Sequence, residues 1–144
     1  MTTITQIAST IDELVHRELG DNQFDMYSRL YVTDPDGAWM IGQSHDPYDM
    51  FDGDTAVTRP RGATAVGFVC TGWAAPITDT PTDTPPSQSP DRIRVRITVA
   101  YNGSEWTTVM RREGENTPDI MEEAGAGPLA DAIEFWWAEA EVAF

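Results

Sequence analysis

Residues Arg92–Arg112, RIRVRITVAYNGSEWTTVMRR, decide the fold. Ile93, Val95, Ile97 and Val99 alternate with Arg92, Arg94, Arg96 and Thr98, so an extended chain here has one apolar and one basic face. Asn102-Gly103 tolerates the positive φ that a tight hairpin needs, and Ser104–Arg112 is the returning strand. A two-residue turn sets Val99 against Trp106, Val95 against Met110 and Arg94 against Arg111. The last pair opposes like charges, which is unfavourable unless an anion lies between them. The simplest such anion is one of the chain's own carboxylates. The alternative is an anion or a carboxylate-bearing partner held by Arg92, Arg94, Arg96 and Arg111.

On the N-terminal side, Ala63–Trp73 (ATAVGFVCTGW) is short, apolar, β-branched and bounded by glycine, as a buried central strand should be. Earlier still, strands at 26–33 and 38–43 flank the turn Asp34-Pro35-Asp36-Gly37. Residues 4–19 carry Ile4, Ile7, Ile11, Leu14 and Val15 at helical spacing, with Gly20 as a stop. Asp12, Glu13, Arg17 and Glu18 fall off that stripe, and His16 is expected to face solvent. Thr10 with Glu13 also matches a capping box, which would start the helix later. On the C-terminal side, residues 113–126 are polar, and Pro128 opens a helix to about Glu141.

The expected fold class is α+β: a mainly antiparallel sheet of about five strands, with N-terminal and C-terminal helices packed on one face. Residues 1–144 form a single domain. Its Thr/Pro-rich segment 75–90, with Thr78-Asp79-Thr80-Pro81 and Thr82-Asp83-Thr84-Pro85 in near tandem, reads as an exposed flexible loop.

The charge is extreme. Twenty-four acidic residues face nine basic ones, all arginine, for a formal net charge of −15 over 144 residues. Such a field disfavours nucleic acid and anionic membrane and favours a cationic partner. The absence of lysine fits a GC-rich source or a high-salt one. One cysteine, Cys70, allows no internal disulfide, and no secretory leader or membrane span is evident, so a cytoplasmic location is expected.

Besides the arginines, two groups of residues could carry chemistry. Phe135, Trp136 and Trp137 are adjacent on a helix, so they cannot all face inward, and at least one should be open to a partner. Asp46, Asp49, Asp52 and Asp54 form an acidic loop beside His45. Counting back from Gly53, the EF-hand ligand positions fall on Asp52, Met50 and Tyr48, so that motif fails. Two histidines and one cysteine give little for zinc, and no phosphate-binding glycine loop is present. No metal or cofactor is therefore expected.

The run Gly72-Trp73-Ala74, the proline-rich gap, Ser89-Pro90-Asp91-Arg92 and then Leu129-Ala130-Asp131-Ala132 before Trp136 resembles small uncharacterised acidic proteins of actinobacteria and their phages, over residues 63–137. That resemblance implies provenance and no activity.

The expected function is a non-enzymatic acidic interaction domain that binds a basic partner protein, in the form of a phage-borne or accessory modulator of a host factor. Phe135, Trp136, Trp137 and the aspartates 46, 49, 52 and 54 would make the contact. A homo-oligomer is a further outcome. The alternative is a small enzyme or ligand- or metal-binding protein using His45 and the neighbouring aspartates.

Overall fold

Helix α1, Ile4–Leu19, begins where the chain satisfies its own first amides. The Thr3 hydroxyl accepts from the Gln6 amide, and the Gln6 side chain accepts from the Thr3 amide, a capping box about two helix turns ahead of the Thr10–Glu13 alternative. Gly20, at φ +79°, ends the helix by donating to the His16 carbonyl. The buried stripe is Ile4, Ala8, Ile11, Asp12 and Val15. Asp12 therefore lies on the inner face, not off it as expected, while Leu14 is exposed.

The computed structural model describes residues 3–20, 28–51, 57–74, 92–115, 117–122, 128–139 and 142–143. The expected loop 75–90, Asp52, Asp54 and the ends of the first strand and last helix lie outside the described residues.

Strands β1 (Ser28–Asp34), β2 (Gly37–Ser44), β3 (Arg59–Pro60), β4 (Ala65–Ala74), β5 (Ile93–Tyr101), β6 (Trp106–Arg112), β7 (Asp119–Glu122) and β8 (Val142–Ala143) follow, with helix α2 (Pro128–Glu139) between β7 and β8. Six of them form one antiparallel sheet in the order β2-β1-β4-β5-β6-β7. The short pair β3–β8 is parallel and separate. The fold is thus α+β with an antiparallel sheet, as expected. The added strand is β7, Asp-Ile-Met-Glu, whose two apolar residues are adjacent and so carry no period-two signal.

The β5–β6 hairpin differs from the two-residue reading. Asn102 Oδ1 accepts from the Ser104 and Glu105 amides at 3.0 and 2.8 Å, and Gly103 takes φ +98°. The loop consequently spans Asn102–Glu105, and Tyr101 pairs with Trp106. Every partner moves by two: Ile97 faces Met110 and Arg96, not Arg94, faces Arg111. A shift of two preserves parity, so each side chain keeps its face.

Parity also places the helices, and here the single-face expectation is corrected. Ala65, Val69, Thr98, Ala100 and Val109 share the face that carries α1. Leu30, Val32, Val66, Phe68 and Tyr101 share the other, where Ile133 and Trp136 of α2 pack with Met50 and Phe51. The helices lie on opposite faces of the sheet. The physical reason is that both faces of β1, β4 and β5 carry enough apolar or uncharged side chains to be buried, so each needs its own cover.

Where α1 crosses the sheet it comes very close. A Cβ at Gly67 would lie 2.3 Å from Ile11 Cδ1, so glycine sets the depth to which α1 sinks. Each buried aliphatic side chain of α1 contributes roughly 1.5–3 kcal/mol of transfer free energy.

Candidate functional site

Beneath the C-terminal half of α1 the sheet is basic. Arg96 is fully buried, Arg111 and Arg29 nearly so, and Asp12 of α1 is buried among them. Arg111 grips Asp12 through two nitrogens, with Nη2 to Oδ2 at 2.5 Å and Nε to Oδ2 at 3.2 Å. Arg96 Nη1 lies 3.4 Å from His16 Nδ1, so His16 faces the arginine layer rather than open solvent. Desolvation lowers the Arg96 pKa, the field of Asp12 opposes that shift, and Arg111 and Arg29 reinforce it. Arg29 donates to both oxygens of Glu18 at 2.9 and 3.1 Å. That bidentate hydrogen bond holds the Glu18 carboxyl below its ordinary range and raises Arg29.

Farther along the same face, Arg92 and Arg94 lie over the Trp73 ring, their guanidinium carbons 4.8 and 4.4 Å from its centroid. The four arginines singled out in the sequence therefore do share one sheet face. Arg96 and Arg111 are sealed under α1, whereas Arg92 is exposed and Arg94 half-buried.

The aromatic trio is split. Trp136 is only 2 % exposed, edge-on to Phe51, and donates its indole N–H to the Val57 carbonyl at 2.6 Å. It is a core residue, which corrects its assignment to a partner surface: the i+3 spacing from Ile133 turns it into the sheet. Trp137 is half-buried, with Arg59 4.7 Å over its ring and Tyr101 edge-on. Phe135 is 68 % exposed and remains available.

Asp46 caps the 3-10 turn Pro47–Met50 by accepting from the Tyr48 amide, and Asp49 accepts from the Ser44 hydroxyl. These two aspartates and His45 are exposed and line none of the cavities described below. Among the described residues no group of three or more His, Cys, Asp or Glu side chains is placed to hold a metal ion. No helix among them is long and apolar enough to cross a membrane.

One feature escaped the sequence reading. Strand β2, GAWMIGQS, is an outer strand of the sheet, and Trp39 and Met40 are 52 % and 51 % exposed on opposite faces of it. Its one local trace is eight consecutive uncharged residues in a chain of which 23 % is charged, a run that does not by itself tell an edge strand from a central one. Cavities of about 550 and 230 Å³ lie near this strand. The first lies between α1 and the β1–β2 turn, with Thr10, Thr33, Asp34, Asp36 and Thr64 among its walls. The second lies on the α2 face, between Trp39 and Ile41 on one side and Pro60, Arg61 and Ala63 on the other. Asp34 borders both. A hydrogen bond from the Trp39 side chain, with further ones from the Asp36 and Gly37 amides, lowers the Asp34 pKa and keeps it anionic.

Comparison with protein-family models, with curated proteins and with solved structures gives no match for this chain.

Proposed function

We infer that this chain is an acidic interaction domain that binds a basic partner protein. The observation that carries the reading is the burial of Arg29, Arg96 and Arg111 in a layer that holds, among the described residues, a single buried carboxylate, Asp12. Three of nine cations are withdrawn from the exterior, and among the described residues only one anion goes with them. Among the described residues the outer surface is therefore more negative than their composition indicates. Such a surface accelerates encounter with a cationic protein and repels polyphosphate. In this reading the domain is an accessory or phage-borne modulator that acts by occupying a basic surface of a host protein.

The test is titration of the chain with poly-lysine and with poly-glutamate of equal length at rising salt. Binding to poly-lysine alone, weakening steadily between 50 and 500 mM salt (on the order of one to two decades), is the expected result. Equal binding to both polymers, or indifference to salt, removes the reading.

A further inference from the structure

We propose that the Gly37–Met40 stretch of β2 is a docking edge that takes an extended segment of a partner protein as an added strand, with basic and apolar side chains alternating along that segment. The proposal rests on the acidic-domain reading and names how the basic partner is held.

Edge strands are usually guarded by charged side chains, proline or brevity. Strand β2 has eight residues, and none is charged or proline. A bulge at the Leu30/Tyr31 step is its one guarding feature. Toward Gly42 the α2 side of the strand is filled, because a Cβ there would meet Val57 and Met50 at 2.9 and 3.0 Å. The stretch that no described residue covers is Gly37–Met40, where Trp39 and Met40 are half exposed. The opposite edge, β7, begins and ends with an acid, Asp119 and Glu122.

An added strand would lie about 4.8 Å from β2 and send successive side chains to opposite faces. The two faces here differ chemically. On the α1 side the wall of the 550 Å³ cleft offers the carboxylates of Asp34 and Asp36 with the hydroxyls of Thr10, Thr33 and Thr64. Those carboxylate and hydroxyl oxygens are acceptors that suit the N–H donors of a lysine or arginine side chain. On the α2 side the 230 Å³ pocket is walled by Val32, Trp39, Ile41, Pro60 and Ala63, with Arg61 also contributing. An aliphatic side chain fits there. A second copy of the chain is a poorer occupant, because edge-to-edge pairing brings two bodies of net charge −15 together.

The experiment uses the full chain and blocked nine-residue peptides of alternating lysine and valine. Two isomers carry backbone N-methyl groups on one edge or on the other. The expected result is that the parent and one isomer bind alike, while the other isomer binds at least about tenfold more weakly. Trp39→Ala should weaken the parent peptide about tenfold. If both isomers bind as the parent does, the peptide is held by charge alone: strand addition is overturned and the acidic-domain reading survives. If neither the parent peptide nor poly-lysine binds, the acidic-domain reading fails and takes this proposal with it. A concentration-dependent dimer, seen by light scattering and abolished by Trp39→Ala, assigns the edge to a second copy and overturns the proposal. The N-methyl comparison needs no variant, so poor folding of Trp39→Ala leaves the test intact.

Discussion

Arg96 and Arg111 face each other directly across the β5–β6 ladder, both sealed beneath α1, with the Asp12 carboxylate bound to Arg111 and its field favouring the charged form of Arg96. Like charges paired across strands are ordinarily destabilising. The pair is tolerated because helix α1 delivers an anion to it, so helix and hairpin are each incomplete without the other. Removing one member of such a buried cluster leaves uncompensated charge in a poorly solvated place.

Asp12→Asn, which keeps shape and removes charge, should therefore cost about 3–5 kcal/mol. Urea midpoints measure it. Asp12→Leu combined with Arg111→Met should recover most of the loss. A double variant no more stable than Asp12→Asn would show that the cluster contributes more than its own desolvation penalty.

Gly67→Ala tests the depth of α1. Its new methyl meets Ile11 Cδ1, so the helix must lift, at a cost of roughly 1–3 kcal/mol. Ile11→Val deletes that atom, and in the Gly67→Ala background it should be stabilising, although alone it costs about 0.5–1.5 kcal/mol. Additive losses in the double variant would contradict the contact.

Trp136 and Phe135 should separate sharply in thermal melts. Trp136→Ala opens a cavity beside Phe51 and leaves the Val57 carbonyl without its donor, costing about 3–5 kcal/mol. Phe135→Ser should change stability by no more than about 0.5 kcal/mol.

Acid should destabilise the fold in part through Asp34 and Glu18. Both have folded pKa values below their ordinary ones, so between the two values the unfolded chain binds more protons and stability rises with pH. Their contribution is complete above the ordinary carboxylate range, near pH 4, and is lost as pH falls through the lowered values. Both carboxylates are largely solvated, so the effect is modest and salt-sensitive. Urea midpoints followed from pH 5 down to pH 2 should fall less steeply for the Asp34→Asn, Glu18→Gln double variant, about in line with loss of two titrating groups.

Cys70 should be a slow thiol. Burial pushes its pKa up to about 11, which leaves little thiolate at neutral pH. Iodoacetamide at pH 8 should label the folded chain far more slowly than the urea-unfolded one. Equal rates would contradict the burial.

Helix α1, the β5–β6 hairpin, the β1–β2 turn and the α+β class were legible because each is written in local periodicity and turn chemistry: isoleucine spacing, alternation along Arg92–Val99, and Asp34 accepting from the Asp36 and Gly37 amides. The open edge at Trp39 and Met40 was missed because a run of uncharged residues looks alike in a central strand and in an edge strand. Only the strand order distinguishes them.

Composition and pattern alone determined the anionic character, both helices, five of the six strands of the large sheet and the side-chain alternation along them, since those depend on residue type and a period of two or 3.6. The tertiary structure decided which carboxylate meets the buried arginines, that the helices cover opposite faces, that Trp136 is interior and that β2 is an outer strand among the described ones. Those are facts of long-range pairing: the Asn102 loop shifts the ladder by two, and Asp12 and Arg111 are ninety-nine residues apart. No local preference encodes a contact at that separation. It exists because burying both sheet faces costs less free energy than exposing either.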